Sequence, residues 1–508
     1  MGGSIVVGLP QIGVLDPARV SGSSSLAIIR TACDGLIGLD PLKGTPRPAL
    51  ASSWELAPGA GKLKVSLRPD VRFHDETPLT SEAVREAMSR VARPATASPW
   101  ASLVSKVAGF AEVQSGDATH LSGVKLIDRL TLEIELSEPF SDFPTVLAHP
   151  ALVPVSLRSL SADPAGPVLP MCAGPYRIER GLGRNDYRLG RSAESLSRNG
   201  AYLRNGTGYA ELILVRSYES AEDAYQAFRS GQVDIAPVPD SRVAEARAAK
   251  VGYQSAATPQ ITYLAFDITK NETSDPRLRQ AVSLAIDRLV IIDAAYGDQR
   301  EPALRWLPPD YGAASESTCS SYVRRIADPE RAKELLGSVG VDPAALDLPL
   351  RFDSNRTGRL VAEAVQVQVN EVLGIDLEPE PMEEEFFSAS LRDRQSPAVW
   401  ILSTNIDLPL PDQFLGALFR TGSPQNVLSF SDPDFDLRVD EARRATSAEE
   451  IRRLYVAAEN ELCANMPAIP LWSSVSHWVI NPEQVSLEGE APIDLFGSPV
   501  LRHVHRRG

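Results

Sequence analysis

The chain has 508 residues, of which 43% are hydrophobic and 23% charged, a balance typical of a globular protein of two to four domains. Lys and Arg number 51 against 66 Asp and Glu, and the net charge of −15 excludes the broad basic surface that nucleic acids or anionic membranes require. No apolar run reaches the roughly 18 to 20 residues of a membrane span.

The first residues lack the charged segment and the long apolar core of an export signal. The alternative is that an export signal has been removed. The four cysteines, Cys33, Cys172, Cys319 and Cys463, include no Cys-x-x-Cys pair, which argues against a zinc site. We expect buried free thiols. The alternative is one long-range disulfide, if the protein is exported.

The first part of the chain predicts several strands and an amphipathic helix. Residues 5–8 form a β-branched run, typical of a first or an edge strand. Residues 54–67 predict two paired strands around a Gly-rich turn at 59–61, and residues 130–136 alternate in the same way. Thr80 predicts the N-cap of a helix with one apolar face.

The middle of the chain predicts a parallel α/β unit. A strand at 212–215 is followed by a helix that begins near Ser220 and by a second strand at 233–236. Another strand is predicted at 261–266.

Three Asp-Pro pairs, at 275–276, 328–329 and 432–433, each predict a capping aspartate before a proline at the first helical position. Ser447 begins a capping box. Together these patterns predict a mixed α/β chain of at least two lobes.

The stretch from 398 to 411 is the strongest candidate for a binding site. Residues 398–402 are an apolar run that predicts a buried strand. Thr404, Asn405 and Asp407 follow, and then the prolines that end the strand, the first of which is Pro409. A lone carboxylate at the mouth of a buried strand is well placed to meet a ligand cation.

Several segments, taken in this order, resemble the extracytoplasmic solute-binding proteins of peptide- and nickel-type ABC importers, the family-5 or dipeptide/oligopeptide-binding class. The matching segments are residues 50–55, 67–80, 173–176, 230–236, 279–288, 328–332, 430–436 and 467–471. Their joint order and spacing, over nearly the whole chain, carries the resemblance more than any single segment.

The resemblance implies an α/β fold of the two-lobed periplasmic-binding-protein type, with an extra inserted domain and mixed sheets flanked by helices. Lobe I would comprise residues 1–48, 172–259 and 480–508, the inserted domain 49–171, and lobe II 260–479. The ligand would lie in the interlobe cleft, over which such lobes hinge shut.

The resemblance also implies how the two ends of a peptide are held. In peptide-binding relatives an aspartate placed like Asp407 pairs with the peptide α-amino group, which is costly to bury without a carboxylate. The rival is Asp412, and the plain alternative is a solvated loop aspartate. For the peptide carboxylate the candidate is Arg356, just before a predicted helix, with Arg351 and Arg359 as alternatives to it, and a surface arginine as the plain reading.

Five further residues complete the expected ligand-binding set: Thr404, Asn405, Trp400, Tyr176 and Cys172. Thr404 and Asn405 stand where relatives often have a tryptophan shortly before the aspartate. For the two aromatic side chains the plain alternative is a core position, which is the more frequent one for aromatic residues. Cys172 lies in a Gly-Pro-Tyr turn that is near the cleft in relatives.

Residues 74–76, His-Asp-Glu, invite a metal or acid–base interpretation, but no His-Glu-x-x-His accompanies them. The family has a turn here, usually with glycine where this chain has Glu76, so we expect a structural role. No Gly-x-Ser-x-Gly, phosphate loop or dinucleotide fingerprint is present. We therefore expect no enzyme, no catalytic residue, no metal and no cofactor.

The resemblance implies the substrate-binding component of an ABC importer, a monomer that captures peptides by lobe closure and delivers them to membrane permease subunits. It would act outside the cytoplasm, lipid-anchored in its full-length form, without nucleic acid as a partner. The alternative keeps the fold but binds a nickel chelate, haem, oligosaccharide or opine. A binding domain that signals rather than transports stays open.

Overall fold

The computed structural model describes residues 3–40, 44–162, 169–182, 186–191, 210–297, 299–307, 318–383, 386–387, 399–404, 408, 410–487 and 492–507. The chain divides into two compact units. Unit 1 comprises Met1–Ala256 and Ser476–Gly508, and unit 2 comprises Ala257–Val475. The division into five segments stays a prediction.

The strands and helices are numbered in chain order. The strands are β1 (Ser4–Pro10), β2 (Ile37–Leu39), β3 (Pro46–Pro48), β4 (Ala51–Leu56), β5 (Lys62–Leu67), β6 (Val124–Leu126), β7 (Thr131–Glu135), β8 (Tyr176–Arg180), β9 (Tyr187–Arg191), β10 (Leu212–Tyr218), β11 (Ile235–Pro237), β12 (Tyr253–Phe266), β13 (Glu301–Pro302), β14 (Asp347–Asp353), β15 (Asp376–Met382), β16 (Val399–Ser403), β17 (Ala468–Ile480), β18 (Val485–Leu487) and β19 (Val504–Arg506). The helices are α1 (Ser23–Ala32), α2 (Ser81–Ala92), α3 (Phe110–Ser115), α4 (Phe143–Val146), α5 (Leu157–Ala162), α6 (Ala221–Arg229), α7 (Val243–Ala249), α8 (Asn271–Ser274), α9 (Pro276–Ala285), α10 (Arg288–Tyr296), α11 (Pro329–Val339), α12 (Arg356–Leu373), α13 (Pro411–Phe414), α14 (Gly416–Phe419), α15 (Pro433–Arg444) and α16 (Ala448–Asn465).

Strand β1 lies inside the main sheet of unit 1. It pairs in parallel with β10 on one side and with β11 on the other, and Val7 is opposite both Val215 and Ile235. The β10–α6–β11 order therefore forms the predicted parallel unit, with β1 inserted between its strands. The sequence predicted a first or an edge strand, and β1 is the first strand of the chain but not an edge strand. Hydrogen-bonded strands on both sides place β1 inside the sheet, and its side chains Ile5, Val7 and Leu9 are buried in the core.

Unit 1 also contains a four-stranded antiparallel sheet in the order β4-β5-β7-β6. Along β5, Leu63 and Val65 are buried whereas Lys62 and Lys64 are exposed, as the alternating sequence predicts. Helix α2 begins after Thr80, whose side chain accepts the backbone N–H of Ala83.

The sheet of unit 2 brings the ends of three parallel strands together. Its order is β15-β14-β16-β12-β17, with β13 beside β17. Strand β14 pairs in parallel with both β15 and β16, and β12 is antiparallel to β16. The three parallel strands end at Asp353, Met382 and Ser403. We call this side of the sheet, where those strands end, the carboxyl end.

All three Asp-Pro pairs begin helices in the predicted way. The carboxylates of Asp275, Asp328 and Asp432 each accept a backbone N–H two or three residues later, at 2.8, 3.3 and 2.8 Å. Ser447 caps α16 in the same way, by accepting the N–H of Glu450. These predictions are confirmed because capping depends only on neighbours in sequence.

Two arginines of the segment 279–288, Arg279 and Arg288, are buried. Arg279 Nε donates to the carbonyl of Met466 at 2.8 Å, and Arg288 Nε donates to that of Pro470 at 2.9 Å. The segment thus ties α9 and α10 to the start of β17. Burial lowers the pKa of the Arg288 guanidinium to about 9.

All four cysteines form disulfides, Cys33 with Cys172 and Cys319 with Cys463. The expectation of free thiols is wrong. The two members of each pair are 139 and 144 residues apart in sequence, yet their Cα atoms lie 5.5 and 5.0 Å apart, within the range for disulfides. The sequence alone does not show which cysteines, so far apart in the chain, come close enough to pair.

Replacing Cys319 and Cys463 together with alanine is expected to lower the free energy of unfolding by about 2–4 kcal/mol, because the crosslink restricts the unfolded chain. Urea denaturation of oxidised wild type and the double variant checks this value. The matched Cys33→Ala/Cys172→Ala variant should behave similarly in unit 1. Equal unfolding midpoints for wild type and both variants would contradict the prediction.

Within the described ranges, no helix is both long enough and apolar enough to traverse a lipid bilayer.

Candidate functional site

The candidate site lies at the carboxyl end of the unit 2 sheet. Ligands of open α/β sheets bind outside the carboxyl ends of parallel strands. Strands β14 and β16 are in register with Arg351 beside Trp400, so both strands run to the same side. The segment with Arg356 follows β14, and the segment with Asp407 follows β16. The fold of unit 2 thus brings the starting points of the two expected anchor segments together.

The last residues of β16 are held firmly on β12. The N–H of Thr404 donates to the carbonyl of Ile261 at 3.0 Å, and the N–H of Ile261 donates to Thr404 Oγ1 at 3.2 Å. The hydroxyls of Ser403 and Thr262 are 2.8 Å apart. Thr404 is buried, and it fixes the point from which the chain leaves the sheet. The next predicted site residues, Asn405 and Asp407, lie outside the described residues.

Trp400 lies inside the sheet, between Ala265 of β12 and Arg351 of β14. Its side chain is only 4% exposed, and its Nε1 has no acceptor among the described residues. Buried N–H groups of this kind nearly always have a partner in folded proteins.

The carboxylate of Asp412, the rival of Asp407, is engaged in the core. Arg443 donates to it through Nε at 2.7 Å and through Nη2 at 3.0 Å, and the hydroxyl of Tyr455 lies 3.2 Å away. A Cβ at Gly416 would lie 2.3 Å from Asp412 Oδ1, so the glycine leaves room for this ion pair. Asp412 joins α13 to α15 and α16, and a ligand would have to compete with a bidentate arginine.

The three candidate arginines occupy different positions. Arg351 Nε donates to Glu380 Oε2 at 2.9 Å across β14 and β15. Arg359 is exposed on α12. Arg356 is the first residue of α12, directly after Asn355, which caps the helix by accepting the N–H of Gly358 at 2.8 Å. The side chain of Arg356 lies outside the described part of the structure.

Tyr176 and Cys172 belong to unit 1, and both are fully buried. The hydroxyl of Tyr176 donates to the carbonyl of Ala210 at 3.2 Å, and burial raises its pKa. Cys172 is bonded to Cys33, so it is not a free thiol. In unit 1 both residues pack in the hydrophobic core, together with β1 residues such as Ile5.

The His-Asp-Glu segment forms a turn with a structural role. His74 Nε2 lies 3.1 Å from the carbonyl of Gly174, and burial lowers the pKa of this histidine. Burial alone would raise the pKa of Asp75, but hydrogen bonds from Ser156 and Thr77 lower it. Glu76 has a φ of 67°, the left-handed conformation that favours the glycine usual in the family.

No group of three or more His, Cys, Asp or Glu side chains that could hold a metal ion occurs in the described ranges.

Comparisons with known proteins agree with this architecture. Residues 45–426 match the family described as bacterial extracellular solute-binding proteins, family 5 Middle. The probable deoxycholate-binding periplasmic protein YgiS of Escherichia coli (strain K12) is 26% identical over 491 residues, 91% of this chain and 86% of YgiS. The periplasmic oligopeptide-binding protein OppA of Salmonella typhimurium is 24% identical over 506 residues, 95% of this chain and 89% of OppA.

Among solved structures, the unliganded open form of the periplasmic murein tripeptide binding protein MppA aligns with a TM-score of 0.85. The alignment covers 99% of this chain and 97% of MppA at 21% sequence identity. This similarity confirms the predicted fold class, and the family match confirms the resemblance. The chain therefore belongs to family 5 of the bacterial extracellular solute-binding proteins.

Proposed function

We propose that this chain is the extracytoplasmic substrate-binding component of an ABC importer, which captures peptides and delivers them to permease subunits. The family match over residues 45–426 carries the proposal. Of the three relatives described above, OppA is named for oligopeptides and MppA for a murein tripeptide. The chain has no enzymatic activity in this proposal.

The carboxyl end of the unit 2 sheet would supply the contacts for the peptide. Asp407 follows the anchored residue Thr404 by three residues in the sequence. Its carboxylate would neutralise the peptide α-amino group. Arg356, which follows the adjacent strand β14, would meet the peptide carboxylate. Since adjacent strands are about 5 Å apart, the two anchor segments suit a short peptide.

The location outside the cytoplasm is supported by two disulfides, which persist in oxidising compartments. The relatives named above are periplasmic by name. A lipid anchor on the full-length form is part of this proposal.

The test is a thermal-shift panel of di- to pentapeptides, with the same peptides acetylated at the N-terminus. A peptide at 100 times its Kd should stabilise the folded state by about 2.7 kcal/mol and raise the Tm. Acetylated peptides should give much smaller shifts. No shift with any free peptide, together with a shift caused by a nickel chelate, haem, a sugar or an opine, would overturn the proposal.

A second candidate ligand is a bile acid, because YgiS is named for deoxycholate and is 26% identical to this chain. Deoxycholate carries a carboxylate but no ammonium, so its binding would not depend on Asp407. Including it in the same panel separates the two ligands.

A further inference from the structure

Phe386 is an unusual side chain for this protein. It is 64% exposed, and of all Phe, Trp and Tyr side chains in the described ranges it is the only exposed one. Its neighbour Phe387 packs against the hydrophobic core of unit 2. Core packing therefore accounts for the ring of Phe387 but not for the ring at position 386.

The local structure places Phe386 at the carboxyl end of the sheet. Phe387 is held close to the end of β15, since its N–H donates to the carbonyl of Glu383 at 2.8 Å. The N–H of Ser354, just after β14, donates to the carbonyl of Met382, and its hydroxyl donates to Glu383 at 3.3 Å. Phe386, the neighbour of Phe387, thus lies near the end of β15, beside the segment that leads into α12.

We propose that Phe386 forms a subsite for a hydrophobic ligand side chain. This inference rests on the proposed peptide-binding function and assigns a side-chain preference to the same site. An exposed aromatic ring beside a polar binding region offers apolar area and gains free energy when a ligand covers it. The carboxylate of Glu383, three residues earlier in the sequence, disfavours an acidic ligand side chain in this region.

The strand order indicates which ligand residue meets the ring. The order β16-β14-β15 separates Thr404 from Glu383 by two strand spacings, about 10 Å. An extended peptide covers about 3.3 Å per residue. The separation is about three residue steps, so a peptide with its first residue beside Thr404 would bring its third or fourth side chain to Phe386.

The experiment compares Ala-Ala-Ala-Ala, Ala-Ala-Leu-Ala and Ala-Ala-Ala-Leu by calorimetric titration of wild type and Phe386→Ala. Wild type should bind the better leucine peptide about tenfold more tightly than tetraalanine, as expected when apolar groups enter an apolar subsite. Phe386→Ala should abolish this preference but bind tetraalanine as wild type does. Since Phe386 is exposed, the variant should also keep the wild-type Tm.

Two control variants make the result specific. Phe386→Trp keeps an aromatic surface and should retain the leucine preference. Leu437→Ala removes another exposed apolar side chain of unit 2 and should have no effect on it. An unchanged preference in Phe386→Ala, or no preference in wild type, would overturn the subsite and leave peptide binding intact. If wild type bound none of the three peptides, the proposed function would fail and the subsite with it.

Discussion

Replacing Asp407 with asparagine is expected to weaken binding of a free peptide by about 30-fold or more. The substitution keeps the size of the side chain but removes the charge that would neutralise the peptide ammonium. Loss of one partner from a buried charge pair costs about 2–5 kcal/mol, and each 1.4 kcal/mol is a factor of about ten in Kd. Calorimetric titration of wild type and variant with the same tripeptide measures the change.

A thermodynamic cycle isolates the contact between Asp407 and the peptide amino group. Wild type and Asp407→Asn are each titrated with the free and the N-acetylated tripeptide. If the two groups interact, acetylation weakens binding to wild type but scarcely affects the variant, with a coupling of about 2 kcal/mol or more. Asp70→Asn, an exposed aspartate of unit 1, is the matched control. If the effects of the substitution and of the acetylation on the binding free energy were additive, Asp407 would not be the anchor of the amino group, even if peptides bind.

Local features of the fold could be predicted because their causes are local. The capping aspartates Asp275, Asp328 and Asp432 each bond to a backbone N–H within three residues. The alternation of β5 needs only the period of a strand with one buried face. The β10–α6–β11 order could be predicted as parallel, but the insertion of β1 between the two strands could not.

Contacts distant in sequence were the ones that escaped prediction. Both disulfides join cysteines more than 130 residues apart. Glu459, which is fully buried, accepts hydrogen bonds from the backbone of Trp306 and Leu307 and from the side chain of Arg305. No spacing rule connects Glu459 with residues 305–307. Only the packing of α16 against that segment reveals these hydrogen bonds.

In the candidate site, too, the roles of residues depend on partners that are distant in sequence. Asp407 and Asp412 are indistinguishable by residue type, and only Arg443, 31 residues beyond Asp412, shows which carboxylate the core uses. Composition likewise cannot separate Trp400, whose indole N–H has no acceptor among the described residues, from Tyr176, whose hydroxyl bonds to Ala210. Phe386 escaped prediction because its exposure depends on where β15 ends.

We expect His149 to make unit 1 sensitive to acid. Its ring is 2% exposed and lies against Trp100, with ring centroids 4.5 Å apart. Its Nδ1 accepts the backbone N–H of Ala151 at 3.1 Å. Burial, reinforced by the positive charge of Arg30, lowers the pKa of His149 to about 3. Protonation would place a hydrogen on Nδ1, which would then face the N–H of Ala151 and could no longer accept its hydrogen bond.

The sign of the pH dependence follows from these two pKa values. In the unfolded chain the pKa of a histidine is about 6.5, so between pH 6.5 and about 3 the unfolded state binds the extra proton. The stability that neutral His149 contributes is complete above pH 6.5 and is lost as the pH falls through this window. Between pH 7 and pH 4.5 the free energy of unfolding should fall by about 2–3 kcal/mol from this residue alone.

Urea denaturation of wild type and His149→Asn at pH 7 and pH 4.5 tests this expectation. Asparagine can still accept the N–H of Ala151 but does not titrate, so the variant should lose about 2–3 kcal/mol less than wild type on acidification. Carboxylates and His74, whose pKa is also lowered by burial, contribute equally to both proteins and cancel in the difference. The control His120→Asn changes a histidine that is 35% exposed. Parallel losses in wild type and His149→Asn would mean that His149 does not cause the acid sensitivity.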